Sequence, residues 1–450
     1  MTQDDICACP VTLTSATAVT AWNGVVLGLL SHGRETPVHL GRLMEEAPEF
    51  AMGHAARGLF CLMTGRAEVL PSAHEALAAA RASTAHTPVT LRESAWITAL
   101  DLWLSGKPTA AIAAIETSLR ALPHDTVSAK LSHGIRFILG DATGMRASVE
   151  RILSAHAPDH PCMGYLLGCH AFALEETGDY ALAERTGRRG LDYAKNDAWG
   201  LHAVAHVYDM TARTDDGIAL INGNSAAWEG SNNFRYHVWW HKALLHIERA
   251  EFDVALGLYD AQIRADKTDD YRDISNATSL LMRLELEGMD VGPRWEELAD
   301  FSENRVEDGC LVFADLHYLL ALTGANRGAA RDAMTARFAR DAARKGEMFT
   351  RVEAPGMAAL SGLNAFAEGR YDAAFADLAA ARSLMQTIGG SHAQRDVFER
   401  MTIDAGLRAG RYDATAAILR DRLGRRGGHH DRFSATRFER LNTARGIAAQ

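Results

Sequence analysis

Cysteine is scarce and scattered: six residues in 450, at positions 7, 9, 61, 162, 169 and 310, none of them in a CxxC pair. That excludes a zinc knuckle and a dense disulfide framework. The lone Cys7-Ala8-Cys9 lacks a second pair to complete a metal site. It reads as two free thiols on a loose end, in keeping with reducing cytoplasm. No long apolar run is present. Trp22 to Leu30 is too short to span a bilayer and is broken by Asn23 and Gly24. A basic excess is missing too: 47 Lys and Arg face 57 Asp and Glu, a net charge of −10. A field of that sign repels phosphate backbones and speaks against a nucleic-acid partner. The first residues, Met1-Thr2-Gln3-Asp4-Asp5, are acidic where a secretory leader would be basic. These absences predict a soluble cytoplasmic protein with no membrane partner.

Strand patterning is also absent. No run of four or more residues alternates convincingly like a strand, and no low-complexity linker is seen. The prolines at 48, 123, 158, 161 and 293 fall between helical stretches, where they start or stop them. What the chain does have is a repeated turn of the form small, any, turn or aromatic, any, any, Ala. It occurs as Gly106/Pro108/Ala111, Ala142/Gly144/Ala147, Gly178/Tyr180/Ala183, Thr214/Asp216/Ala219 and Ala250/Phe252/Ala255, a spacing of 36 residues. Later copies stand at Gly369/Tyr371/Ala374 and Gly410/Tyr412/Thr415. Glycine can close a helix in the left-handed region, the aromatic ring fills the wedge, and alanine lets the next helix approach. Ala181–Leu191 and Asp253–Ile263 carry apolar residues at helical spacing. The expected fold is all-α, a tetratricopeptide-like α-solenoid of stacked helix–turn–helix repeats. One repeat domain is expected over 1–450, with 1–15 an irregular N-terminal segment. The stretch Gly424–His430 reads as a flexible loop with two solvated histidines.

Nineteen histidines invite a count of where they fall in the repeat. Measured back from each turn, His133 and His241 lie 9 residues before it, His170 and His206 8, His202 and Lys130 12, and His237 13. Such offsets form one helical stripe. His202/His206 and His237/His241 are i,i+4 pairs, the spacing that lets two imidazoles chelate one metal. Asp315, with His317 beside it, falls at offset 9 from Gly324. No HExxH motif is present, so the pairs fit a metal site, an acid–base cluster or ordinary buried histidines. Three weaker candidates are Cys169 as a nucleophile, Gly389-Gly390-Ser391 as an anion-binding helix start, and Trp239 and Trp240 as pocket walls. Their bland alternatives are a buried small residue, a capped helix and core packing.

Several runs resemble the tetratricopeptide repeat protein 38 family. They are Asp197-Ala198-Trp199 with His202 and His206, His237 with Trp240-His241, Tyr259-Asp260, Asp315 with His317, Gly389-Gly390-Ser391 with Gln394-Arg395-Asp396-Val397, and Lys130 with Ser132-His133. The likeness runs in order from about Trp22 to beyond Phe433. It implies a divergent tetratricopeptide solenoid and supplies no established reaction. It retains Lys130, His133, His202, His206, His237, His241, Asp315, His317, Arg395 and Asp396. Cys169, His170 and His392 fall outside its pattern, the last where asparagine is expected.

The functional expectation is a histidine-lined pocket acting on a small polar or anionic metabolite as a hydrolase or lyase. In it His202, His206, His237 and His241 hold a divalent metal or share acid–base duty. Asp315 and His317 join the catalytic set, Lys130 and Arg395 hold an anionic group, and His133, Asp396 and Trp240 complete the substrate pocket. The alternative is an interaction scaffold holding a peptide or protein partner in its groove. Assembly as a homo-oligomer stays open.

Overall fold

Pairs of helices joined by a tight turn account for nearly all of the structure, a computed structural model that describes residues 2–446. Among the described residues strand is confined to a two-residue ladder, Gln3–Asp4 on Pro10–Val11, and a single bridge between Gly33 and Ser231. Consecutive helices pack on each other, as Leu91–Leu104 does on Pro108–Ala121, Met163–Glu176 on Tyr180–Tyr193, and Met357–Ala367 on Tyr371–Ala381. The fold is all-α, with stacked helix pairs of the α-solenoid class. None of the described helices is long and apolar enough to cross a membrane. The chain divides into two compact units. The first runs to Val204 and takes in Asn224–Arg235; the second comprises Ala205–Gly223 and the chain from Tyr236 on.

One backbone device makes the turns. At the end of each first helix a single residue enters the left-handed region: Gly106, Gly140, Gly178, Ala212, Ala250, Gly288 and Asn326, then Gly369 and Gly410. The next residue donates its N–H to a carbonyl five positions back. Examples are Asp141 to Arg136 at 2.9 Å, Arg213 to Tyr208 at 2.8 Å and Glu251 to His246 at 2.9 Å. This is the Schellman closure, which satisfies a carbonyl that the helix end would otherwise leave open.

These turns correct the expected register. Ala142 and Thr214 do not sit at the turn; the left-handed residues there are Gly140 and Ala212, two positions earlier. The repeat is therefore alternately 34 and 38 residues from Gly106 to Ala250, and 38 onward to Asn326. A mean of 36 conceals the alternation. Ala147 and Ala219, read as the close-packing alanines, are exposed; Met145 and Gly217 are buried in their place. A Cβ on Gly217 would stand 2.7 Å from Leu245 Cδ1, so a larger residue there would require the Leu245 side chain to shift. The slip arose at Ala212 because alanine, not glycine, takes the left-handed position.

The N-terminal residues also differ from expectation. Cys7 and Cys9 are fully buried, not on a loose end. Asp5, itself buried, accepts hydrogen bonds from Cys7 N at 2.9 Å, Trp22 Nε1 at 2.9 Å and Arg92 Nη1 at 2.6 Å. Arg92 also pairs with Asp125 at 2.9 Å. A buried charge pair anchored in this way ties the short ladder to the first helices.

The two alanines in left-handed turns give a stability test. Ala212→Gly and Ala250→Gly each relieve a Cβ clash that glycine does not feel. Each substitution is expected to stabilise its unit by about 1 kcal/mol, seen as a higher denaturant midpoint. Unchanged or lowered midpoints would contradict the assigned turn conformation.

Candidate metal centre and its surroundings

The second unit gathers imidazoles from neighbouring first helices. His206 comes from Ala198–Met210, and His237 and His241 from Phe234–Glu248. All three are buried, and a ring nitrogen of each lies within 4.8 Å of the others. His241 Nε2 is 3.1 Å from His237 Nε2. The His206 and His241 rings stand 4.4 Å apart, centroid to centroid. Corrected for the turn register, the offsets of His206, His241 and His237 become 6, 9 and 13 from Ala212 and Ala250, still one helical stripe.

Around these rings the partners fix proton positions. His237 Nδ1 lies 2.8 Å from Asn276 Oδ1, on the helix Tyr271–Leu286. That oxygen only accepts, so Nδ1 donates and Nε2 keeps its lone pair. Trp240 is fully buried, lies parallel to His237 at 5.1 Å and donates Nε1–H to Ser279 Oγ at 3.1 Å. Burial drives the His237 imidazole down to about 3, against the pull of its Asn276 bond. Burial first, then neighbouring His206 and His237, holds His241 well below the usual histidine range. Both rings are thus neutral at physiological pH, the form that binds a metal. Two nitrogens, each about 2.05 Å from a tetrahedral zinc ion, stand about 3.3 Å apart. The observed 3.1 Å is close to that span. This buried histidine cluster could bind a metal.

Arg283 brings a cation to the same unit. It donates to Ser279 O at 3.0 Å and Ala393 O at 2.6 Å, and lies 5.4 Å from the Trp240 centroid. Its charge depresses both His241 and His317. Asp396, 3.7 Å away, offsets it. Asp396 also pairs with Arg400 at 2.6 Å and with Arg422, and these arginines, with Arg283, hold its carboxyl well below its ordinary value despite burial. Asp396 thus belongs to an ion-pair network that includes Glu248 and Asp431.

The other expected site residues are distributed as follows. His202 lies one turn before His206 on the same helix, among Phe172, Trp199 and Phe234 of the first unit, with centroids at 5.5, 5.1 and 5.2 Å. Asp315 pairs with Arg337 at 2.8 Å, and burial raises its carboxyl to about 6. His317 Nδ1 bonds Phe313 O at 2.7 Å within its own helix. Burial lowers the His317 ring to about 3. Arg395 donates to the carbonyls of Gly389, at 3.2 Å, and Gly390, bracing that turn. Ser391 is the helix cap, with Gln394 completing a capping box, so the Gly-Gly-Ser run takes the capped-helix reading. Lys130 and His133 lie in the first unit beside Trp199. Cys169 is buried and its thiol is pushed up to about 11, the opposite of an activated nucleophile.

Two participants escaped sequence reasoning. His392 Nε2 stands 3.4 Å from His206 Nδ1. The family resemblance expects asparagine at this position and so does not single out His392. Asn276 lies in Ser275-Asn276-Ala277-Thr278-Ser279, all buried. A polar run inside an otherwise apolar helix was the available signal, since buried polar groups need partners. No family model matches the chain.

Asp197 in the first unit yields a pH test. It is buried, and desolvation raises its carboxyl to about 7, although Lys130 pulls it down. An acid whose folded value exceeds its unfolded value of about 3.9 favours folding below that lower value. Its contribution is then lost as pH rises from about 4 to about 7. Asp197→Asn is expected to flatten the fall of thermal midpoint between those pH values. An identical slope in the two proteins would refute the assignment.

Proposed function

We propose that the second unit binds one divalent transition metal through His206, His237 and His241, and that the bound ion serves hydrolysis of a small polar metabolite. The observation that carries this reading is the 3.1 Å approach of two neutral imidazole nitrogens, one fixed in tautomer by Asn276. Three imidazoles are one donor set of catalytic zinc sites. Zinc fits nitrogen donors, and no thiolate belongs to the group.

When bound, such an ion supplies Lewis-acid polarisation and a nucleophile at neutral pH. The chain's own residues do the rest. Asn276 holds His237 with Nε2 turned to the shared space. Trp240 stacks on His237 and keeps water off its face. His392, half-buried and 3.4 Å from His206, is placed to exchange a proton with solvent. Arg283 provides a fixed cation for negative charge that develops during reaction, and Asp396 keeps that cation compatible with a metal. The likeness to the tetratricopeptide repeat protein 38 family is consistent with a helical-repeat scaffold.

The test uses purified protein stripped with a chelator and reloaded with zinc. Carboxylic ester, amide and phosphoester libraries are screened in both states. Zinc-dependent turnover lost in His241→Ala is expected. Asn276→Leu should weaken metal affinity about 10- to 100-fold while leaving the three donors in place. Turnover equal in the stripped and reloaded protein, or Asn276→Leu binding zinc like the parent, would remove the proposal's basis.

A further inference from the structure

In the first unit a buried ammonium and two buried ring systems meet at one indole. Lys130 and His133 stand three residues apart on Thr126–Leu139 and share a face of that helix. The Lys130 ammonium lies 4.3 Å from the Trp199 ring centroid, and the His133 ring meets the same indole edge-on at 5.7 Å. Lys130 is 7% exposed and His133 2%. Phe172 and Phe137, at 4.5 and 5.7 Å from Trp199, wall the place.

The polar groups here are unsatisfied. Among the described residues neither nitrogen of His133 has a hydrogen-bond partner, and neither does Trp199 Nε1. Asp197 is close enough for Lys130 to influence its ionisation, yet the two form no ion pair. Buried polar groups are almost always hydrogen-bonded, so three unmet ring nitrogens beside an unneutralised ammonium call for a polar occupant. The ring face of Trp199 attracts the ammonium, but it replaces neither a hydrogen-bond acceptor nor a counter-charge.

The available groups define that occupant. The ammonium and indole N–H are donors only, and neutral imidazole adds one more. An acceptor-only anion meets these three donors, and the second imidazole nitrogen, itself an acceptor, is not met by it. A monoanion adds the least negative charge beside Lys130 and Asp197, whereas a phosphate dianion would add a second charge buried among aromatic rings. We propose that Lys130, His133 and Trp199 form a binding site for the carboxylate group of a small monoanion. This site does not depend on the metal reading of the second unit.

Chelator-treated protein tests it without interference from that reading. The probe is sodium acetate, titrated against sodium chloride at equal ionic strength. The readout is the indole ¹⁵N–H signal of Trp199, identified by its loss in Trp199→Phe. A saturable shift with acetate and none with chloride is expected. Lys130→Met should weaken acetate binding about tenfold or more, as loss of a charge-assisted bond requires. His133→Leu, which deletes the ring nitrogens, should weaken it independently. No saturable acetate shift, equal response to chloride, or parental affinity in Lys130→Met would overturn the proposal. Tighter binding of inorganic phosphate than of acetate would overturn the carboxylate assignment. The acetate–chloride comparison on the unmodified protein stands even if a variant fails to fold.

Discussion

Desolvation is the constraint on which the second unit's chemistry depends. His206, His237 and His241 sit inside helices whose surroundings exclude water. An imidazolium at His237 or His241 would forfeit its hydration, so those two rings stay neutral. Neutrality leaves each ring a lone pair. The Asn276 carbonyl decides which nitrogen of His237 carries it. The same burial that stabilises a helical repeat thus prepares a donor set. Where a cation is present, as at Arg283, backbone carbonyls and Asp396 compensate it. Where compensation is lacking, as around Lys130, the first unit shows orphaned ring nitrogens.

The helical-pair fold was legible in the sequence because its turns obey a local rule. Gly106, Gly178, Gly369 and Gly410 mark the left-handed position directly. Ala212 and Ala250 do not, since alanine there carries strain that packing overrides. The expected turn is correct at Ala250 but displaced by two residues at Gly140 and Ala212, which averages alternating lengths into a single period. Burial of the N-terminal thiols was invisible for a different reason. It depends on Arg92, far along the chain, meeting Asp5 and Asp125. Long-range charge pairing leaves no periodic trace.

The candidate centre was legible only in part. His237 and His241 announce themselves by i,i+4 spacing, and His206 by its place on the adjoining repeat. The same spacing says nothing of the contacts that Asp315, Arg395 and Asp396 make. Their carboxylates and guanidinium engage Arg337, the Gly389–Gly390 carbonyls and three arginines respectively. Spacing reports which face a residue takes, but not which partner it meets there. Asn276 and His392 show the converse, since they matter through contacts made 39 and 186 residues away in sequence.

The most direct measurement is metal content with titration. The protein is stripped, titrated with zinc and analysed for bound metal, alongside His237→Ala. The account predicts one tightly bound ion per chain, with affinity reduced by orders of magnitude in the variant. A folded protein that retains no zinc, or binds it equally well without His237, would contradict it.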